Sequence, residues 1–169
     1  MDAKHSKSPA DNSRQFLRHM LATVAYRGAK ALRGVTDTFA EFRVSDGTRT
    51  PAQILAHIGD LYDWALSQAK GKEKWNDSKP LPWDDEVKRF FTALQVMDDY
   101  LASDAALDAT PEKLFQGAIA DSLTHIGQIS ILRRLAGSAV RAENYSRAEI
   151  VAGRVGSEQA PPRWEADLN

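Results

Sequence analysis

The stretch that most constrains the fold is residues 111–136, PEKLFQGAIADSLTHIGQISILRRLA. Both of its ends are punctuated. Thr110 is placed to cap a first turn, Pro111 suits the first helical position, and Gly137 stands where a left-handed C-cap belongs. Arg133 and Arg134 fall in the last turn, where cations oppose the helix dipole. Projected at about 100° per residue, one arc collects Leu114, Phe115, Ala118, Ile119, Leu123, Ile126, Ile129 and Leu132. An apolar arc of that length has to be covered by other helices. His125 falls inside it, with Asp121 one turn before and Gln128 almost one turn after. Core-facing surfaces seldom carry an unpartnered carboxylate, imidazole and amide together, so this strip is the first candidate for chemistry.

The rest of the chain supplies three partners for that arc. Asn12 or Ser13 is positioned to start a first helix, leaving residues 1–11 as a polar leader with His5 solvated in it. Phe16, Leu17, Met20, Leu21, Val24, Ala31, Leu32 and Val35 recur at helical spacing. Gly28 and Gly34 weaken this helix, the second near its end, and His19 lies off the stripe as a surface residue. TDTFAEFRVSDGTRT reads as a connection, with Phe39 and Phe42 available to tuck under a bundle. Thr50, Pro51 and Gln53 then form a capping box with proline at the first position. Ile54, Leu55, Ile58, Leu61, Tyr62, Ala65 and Leu66 make the arc of this second helix, His57 sits at its edge, and Gly71 ends it. After the loop KEKWNDSKPLPW, Asp84 or Asp85 opens a third helix to about Ser103, with Val87, Phe90, Phe91, Leu94, Met97 and Leu101 inward.

Beyond Gly137 the chain turns irregular, with one short helix expected around Ser146 to Ala152. Tyr145, Ile150 and Trp164 are available to pack this tail on the domain. The expectation is an all-α protein: a four-helix bundle over residues 12–137 and a C-terminal extension, 138–169, packed on it.

Composition narrows the function. The 169 residues carry 22 basic and 23 acidic side chains, and no basic cluster of the kind a nucleic-acid or membrane-surface protein needs. There is no cysteine, which excludes disulfides, thiolate metal sites and a cysteine nucleophile. Apolar runs are broken well short of the ~18 residues of a membrane span, and no secretion signal is visible, so a cytoplasmic location is expected. Neither YRGAK nor GRVGSEQ has the context of a phosphate loop, and there is no G-x-S-x-G elbow. Most carboxylates fall on the polar faces of helices and read as solvated.

What remains is His57 on the second helix and Asp121 with His125 on the last. Residues four apart on a helix reach one point, and ligands on facing helices converge in a bundle core. Two imidazoles and a carboxylate suit zinc, nickel or iron(II) and leave open positions for water or substrate. The same residues also fit a plain reading, in which His125 is a hydrogen-bonded core histidine and Asp121 binds it or a backbone amide.

At these residues the sequence resembles the DinB/YfiT-like superfamily of four-helix metal-binding proteins. RTPAQILAHIGDLYDWAL is similar to the family's second helix, whose histidine is a metal ligand and matches His57. IADSLTHIGQISILRRLAG resembles the last bundle helix, written H-x-x-x-H-x-G-Q-[IL], with His125, Gly127, Gln128 and Ile129 matching its later part. The resemblance covers roughly residues 14 to 137 and extends through ENYSRAEIVAGR in a subgroup. Asp121 stands where the family has the first histidine of the pair; aspartate is a competent ligand, and its presence also fits a lost site.

The resemblance implies a divalent metal at His57, Asp121 and His125. It implies Gln128 orienting a ligand, and Gly127 permitting close approach of a helix or substrate. It implies a metal-dependent thiol-S-transferase or isomerase using a low-molecular-weight thiol such as bacillithiol, mycothiol or glutathione, in a homodimer. Tyr145, Arg147 and Arg154 are candidates to close over the site and hold an anionic substrate. Set against this enzyme is a non-catalytic, dimeric bundle whose polar strip is vestigial or merely hydrogen-bonded.

Overall fold

In the computed structural model the described residues are 9–163 and 165, so His5 and Trp164 lie outside them. Four long helical segments make the body: α1 (Pro9–Leu32), α3 (Pro51–Ala69), α4 (Trp83–Ala102), and a composite of α5 (Pro111–Leu114), a π-helical stretch (Phe115–Ile119) and α6 (Ala120–Leu135). A single turn, α2 (Asp37–Ala40), lies in the first connection. There is no strand among the described residues; an isolated bridge joins Glu143 to Glu165. No helix of the described chain is long and apolar enough to cross a membrane.

Local signals set the helix ends. Thr50 Oγ1 accepts from the Gln53 N–H and the Gln53 side chain accepts from the Thr50 N–H, completing the capping box. Thr110 caps Pro111–Leu114 through the Lys113 N–H. Gly34, Gly71 and Gly137 all take positive φ, each just past a helix end, as left-handed C-caps require. The first helix starts at Pro9, ahead of the expected Asn12 or Ser13, and the third starts at Trp83 rather than at Asp84 or Asp85.

Long-range contacts fix the topology. Helix α1 packs on α4 and α6, and α3 packs on the same two, so α1 and α3 are diagonal. Arg18 meets Asp98 while Gly28 meets Phe90, so α1 and α4 are antiparallel. Arg89 reaches Ala56 while Tyr100 reaches Ala69, so α3 and α4 run parallel. His57 faces Asp121 while Trp64 faces Gly117, so α3 and the last helix are antiparallel. A parallel pair obliges the connection to travel back along α3. The 70–82 segment does this, and it passes the site described below.

The core forms from Leu17, Leu21, Ile58, Leu94, Met97 and Ile129, among others, each at most 2% exposed. Gly28 turns out to be a packing necessity: a Cβ there would stand 2.6 Å from Phe90 Cζ, a ring edge in the core. Phe39 is buried edge-on to Trp83, as expected for a residue tucked under the bundle. Two expected core residues point out, Phe16 at 60% and Phe115 at 42% exposure. For Phe115 the cause is the π-helical stretch. An i→i+5 turn takes in an extra residue and rotates the helix before it, so Leu114 alone of that pair faces the core.

Not every carboxylate is solvated. Asp60, Glu86 and Asp98 are buried at 1%, 0% and 2% exposure. Asp98 accepts two hydrogen bonds from Arg18, at 3.0 and 2.9 Å. Arg133 is also buried, and instead of opposing its own helix dipole in solvent it donates to the Ala31 and Arg33 carbonyls, closing the end of α1.

The C-terminal extension packs on α1. Glu143 accepts from the Tyr26 hydroxyl at 2.6 Å and from Lys30 at 2.7 Å, Arg27 lies over the Tyr145 ring, and Val155 is fully buried. The helix expected over Ser146–Ala152 is absent; a single 3₁₀ turn, Tyr145–Arg147, stands there, capped by Asn144.

Candidate metal centre

Helix α3 presents His57 one turn and a half after its capped start, and α6 presents Asp121 and His125 on successive turns. Because α3 and α6 are antiparallel neighbours, the three side chains meet. Their nearest ligand atoms lie within 4.8 Å of one another. Asp121 is central: Oδ2 is 3.7 Å from His57 Nε2 and Oδ1 is 3.5 Å from His125 Nε2. The two imidazoles stand edge to face, with centroids 4.8 Å apart.

These gaps are informative. A direct N–H···O bond closes to about 2.9 Å. Donor atoms sharing one tetrahedral ion at bond lengths of about 2.1 Å are held roughly 3.4 Å apart. The two spacings to Asp121 exceed the first value and lie near the second, each through a different carboxylate oxygen, and the three ligand atoms all fall within 4.8 Å of one another. The donor set is hard-to-borderline and fits zinc, nickel or iron(II).

His125 is oriented from behind. Its Nδ1 lies 2.8 Å from Gln128 Oε1, a contact that fixes the ring through Nδ1–H donation to the amide oxygen and leaves Nε2 as the nitrogen facing Asp121. Burial first, then the charges of His125 and Arg49, pushes the His57 imidazole below its ordinary 6.5, against the opposing pull of Asp121. The neutral ring, the form that ligates, is therefore favoured. The imidazoles are largely covered (side-chain exposure 19% and 12%), whereas Asp121 is 44% exposed, so the centre opens to solvent on the Asp121 side.

The returning 70–82 segment walls one flank. Trp75 packs against His57 with centroids 5.6 Å apart and against Trp64 at 5.9 Å. The segment is pinned by buried Asp60, which accepts from the Ser78 N–H at 2.8 Å and the Ser78 hydroxyl at 2.7 Å. Arg89 holds Asp60 in turn, and also reaches Asp63 at 3.1 Å. Glu86 extends this network, taking the Leu81 N–H at 2.8 Å.

On the α3 N-terminal side His57 also borders an open cleft of about 490 Å³, whose walls include Arg43, Arg49, Gln53, Ser78 and Lys79.

The structure thus brings His57, Asp121, His125 and Gln128 together. It does not bring Tyr145 or Arg154 to them: Tyr145 packs on Tyr26 and Arg27, and Arg154 faces Glu149. Neither these two nor Arg147 lines the cleft beside His57. Gly127 does not serve close approach within the chain, since no described atom lies within 4 Å of where its Cβ would be. Gly117 does, with a Cβ there 3.3 Å from the Trp64 ring. Sequence reasoning missed Trp75, Arg49, Lys79 and the Asp60–Arg89 clamp. A tryptophan in so polar a loop was the one signal available.

Fold and site together define a helical bundle carrying a His/Asp/His cluster that could hold a metal ion. No protein-family model, curated protein or solved structure matches the chain, so the resemblance to DinB-like proteins rests on the two helical segments quoted above.

Proposed function

We propose that the chain holds one divalent ion, zinc, nickel or iron(II), between α3 and α6 through His57, Asp121 and His125, and acts as a metal-dependent thiol-S-transferase. The observation that carries the metal is the convergence of His57, Asp121 and His125 from facing helices, with one ligand atom of each within 4.8 Å of the others. The thiol chemistry comes from the resemblance. A three-ligand ion supplies an open position that lowers the pKa of a bound thiol or water. The protein's own part is to hold His125 in one tautomer through Gln128, keep His57 neutral, and pack Trp75, itself backed by Trp64, against the His57 ring. With no cysteine in the chain, the thiol is a small-molecule cosubstrate. A homodimer is proposed on the same resemblance.

Metal content of protein purified without a histidine tag tests this directly. About one equivalent is expected in the wild type, with loss in His57→Ala and in Asp121→Ala. Gln128→Ala should weaken metal binding by roughly 10- to 100-fold while leaving the metal-free protein as stable as before. Retention in Asp121→Ala alone would remove the carboxylate from the ligand set. No metal in the wild type after reconstitution with zinc, nickel or iron would refute the reading and leave a hydrogen-bonded polar strip.

A further inference from the structure

The cleft bordering His57 has a definite charge. Arg49, just before α3, and Lys79, on the returning 70–82 segment, both line it. Neither makes a hydrogen bond or an ion pair with any described residue. Arg43 joins them but is engaged by the Thr48 carbonyl. Two carboxylates also line the cleft. Asp60 is consumed by Ser78 and Arg89, which leaves Asp77 as the one acid facing two free cations.

Both cations stand on fixed supports. Arg49 immediately precedes Thr50, which is 1% exposed and locked in the capping box. Lys79 immediately follows Ser78, tied twice to buried Asp60. Both cleft-lining loops are therefore anchored at α3, one at its N-cap and one through Asp60. A volume of about 490 Å³ lies in the range of small-molecule sites.

We infer that this cleft binds the anionic end, carboxylate or phosphate, of a small molecule between Arg49 and Lys79, with its other end reaching past His57 to the metal centre. The assignment of a substrate to that centre rests on the metal reading above; the anion site does not. An arginine and a lysine lining one cleft recognise a carboxylate or phosphate by charge-assisted hydrogen bonds, with Arg49 supplying the planar fork and Lys79 a point charge. Gln53 and Ser78 add polar contacts on the same walls. The anion site thus falls on the loops flanking α3, and the tail arginines Arg147 and Arg154 have no part in it.

Isothermal titration calorimetry on the full chain, at constant ionic strength, tests the site with succinate and inorganic phosphate in separate arms. Saturable binding of either supports the inference, and the arm that saturates names the anion. Arg49→Gln and Lys79→Gln should each weaken it roughly tenfold, and the double variant more. Lys88→Gln is the charge-matched control, because Lys88 lies on α4 beside Asp85 and is 75% exposed. No saturation with either anion, unchanged affinity in the double variant, or equal weakening by Lys88→Gln would overturn the inference. Metal stoichiometry after reconstitution of the same samples with zinc, nickel or iron separates the two claims. Bound metal without anion binding sinks the cleft alone; anion binding with none of the three metals bound sinks the metal reading and leaves the cleft standing.

Discussion

Replacing Asp60 by alanine tests whether the site depends on the way the chain returns from α3 to α4. The carboxylate is 1% exposed and accepts from the Ser78 N–H, the Ser78 hydroxyl and Arg89. Hydrogen bonds to a charged group contribute about 1.5 kcal/mol each at the lower end of their range, so the two from Ser78 amount to about 3 kcal/mol. Arg89 keeps Asp63 and stays near Glu86, so its loss adds little. For a domain of this size about 3 kcal/mol lowers Tm by roughly 6–12 °C. The return segment should also detach locally. Lys72 and Lys74 are exposed along it, so trypsin should cut there faster in Asp60→Ala than in the wild type before the body unfolds. Metal affinity should fall as well, because Trp75 no longer covers His57. A Tm drop under about 2 °C with unchanged cleavage at these lysines would refute the idea that Asp60 pins the segment.

Two further outcomes follow from the same packing. Gly28→Ala puts a methyl group against the Phe90 ring at 2.6 Å and should destabilise by about 1–2 kcal/mol despite its better helix propensity, whereas Gly127→Ala meets nothing within 4 Å and should stabilise by roughly 0.5–1 kcal/mol. Chemical denaturation of both would settle it, and the opposite order of signs would show that α1 and α4 approach less closely than described. The Asp60 carboxyl sits below its ordinary 3.8 because hydrogen bonds from Ser78 and Arg89 outweigh the burial that alone would raise it. A depressed carboxyl stabilises the fold fully above 3.8 and loses that contribution as pH falls further. In Asp60→Asn the Tm should therefore vary less than in the wild type below about pH 4, and parallel acid profiles would count against the assignment.

What the sequence made legible is what is local. The capping box at Thr50 and Gln53, the Thr110 cap and the glycines at 34, 71 and 137 each involve residues a few positions apart, and each appears where those residues require. The metal candidates were legible for a related reason. His57, and the pair Asp121 and His125, lie on the faces that periodicity assigns to neighbouring helices. What was not legible turns on distant partners or on departures from a regular helix. The extra residue of the π-helical stretch leaves no mark in composition, so Phe115 was placed inward on a projection that stops being valid at that turn. Asp60 looked like one more surface acid because Arg89 and Ser78, the groups that make its burial affordable, are remote in sequence.

The parallel course of α3 and α4 links these points into a reason for the site being where it is. Had the two helices formed an antiparallel hairpin, a few residues would have joined them at the far end and His57 would face open solvent beyond α6. The parallel pair instead needs a connection as long as the return path, and a connection laid along α3 has to be fastened to it. Asp60 does the fastening, one turn from His57 on the same helix. That single anchor sets Trp75 against the His57 imidazole and brings Lys79 to the cleft that Arg49 also lines. The candidate metal ligands and the cleft therefore share a mechanical origin, and a change at Asp60 should disturb both, whereas changes at Lys79 or Gln128 should each disturb only one.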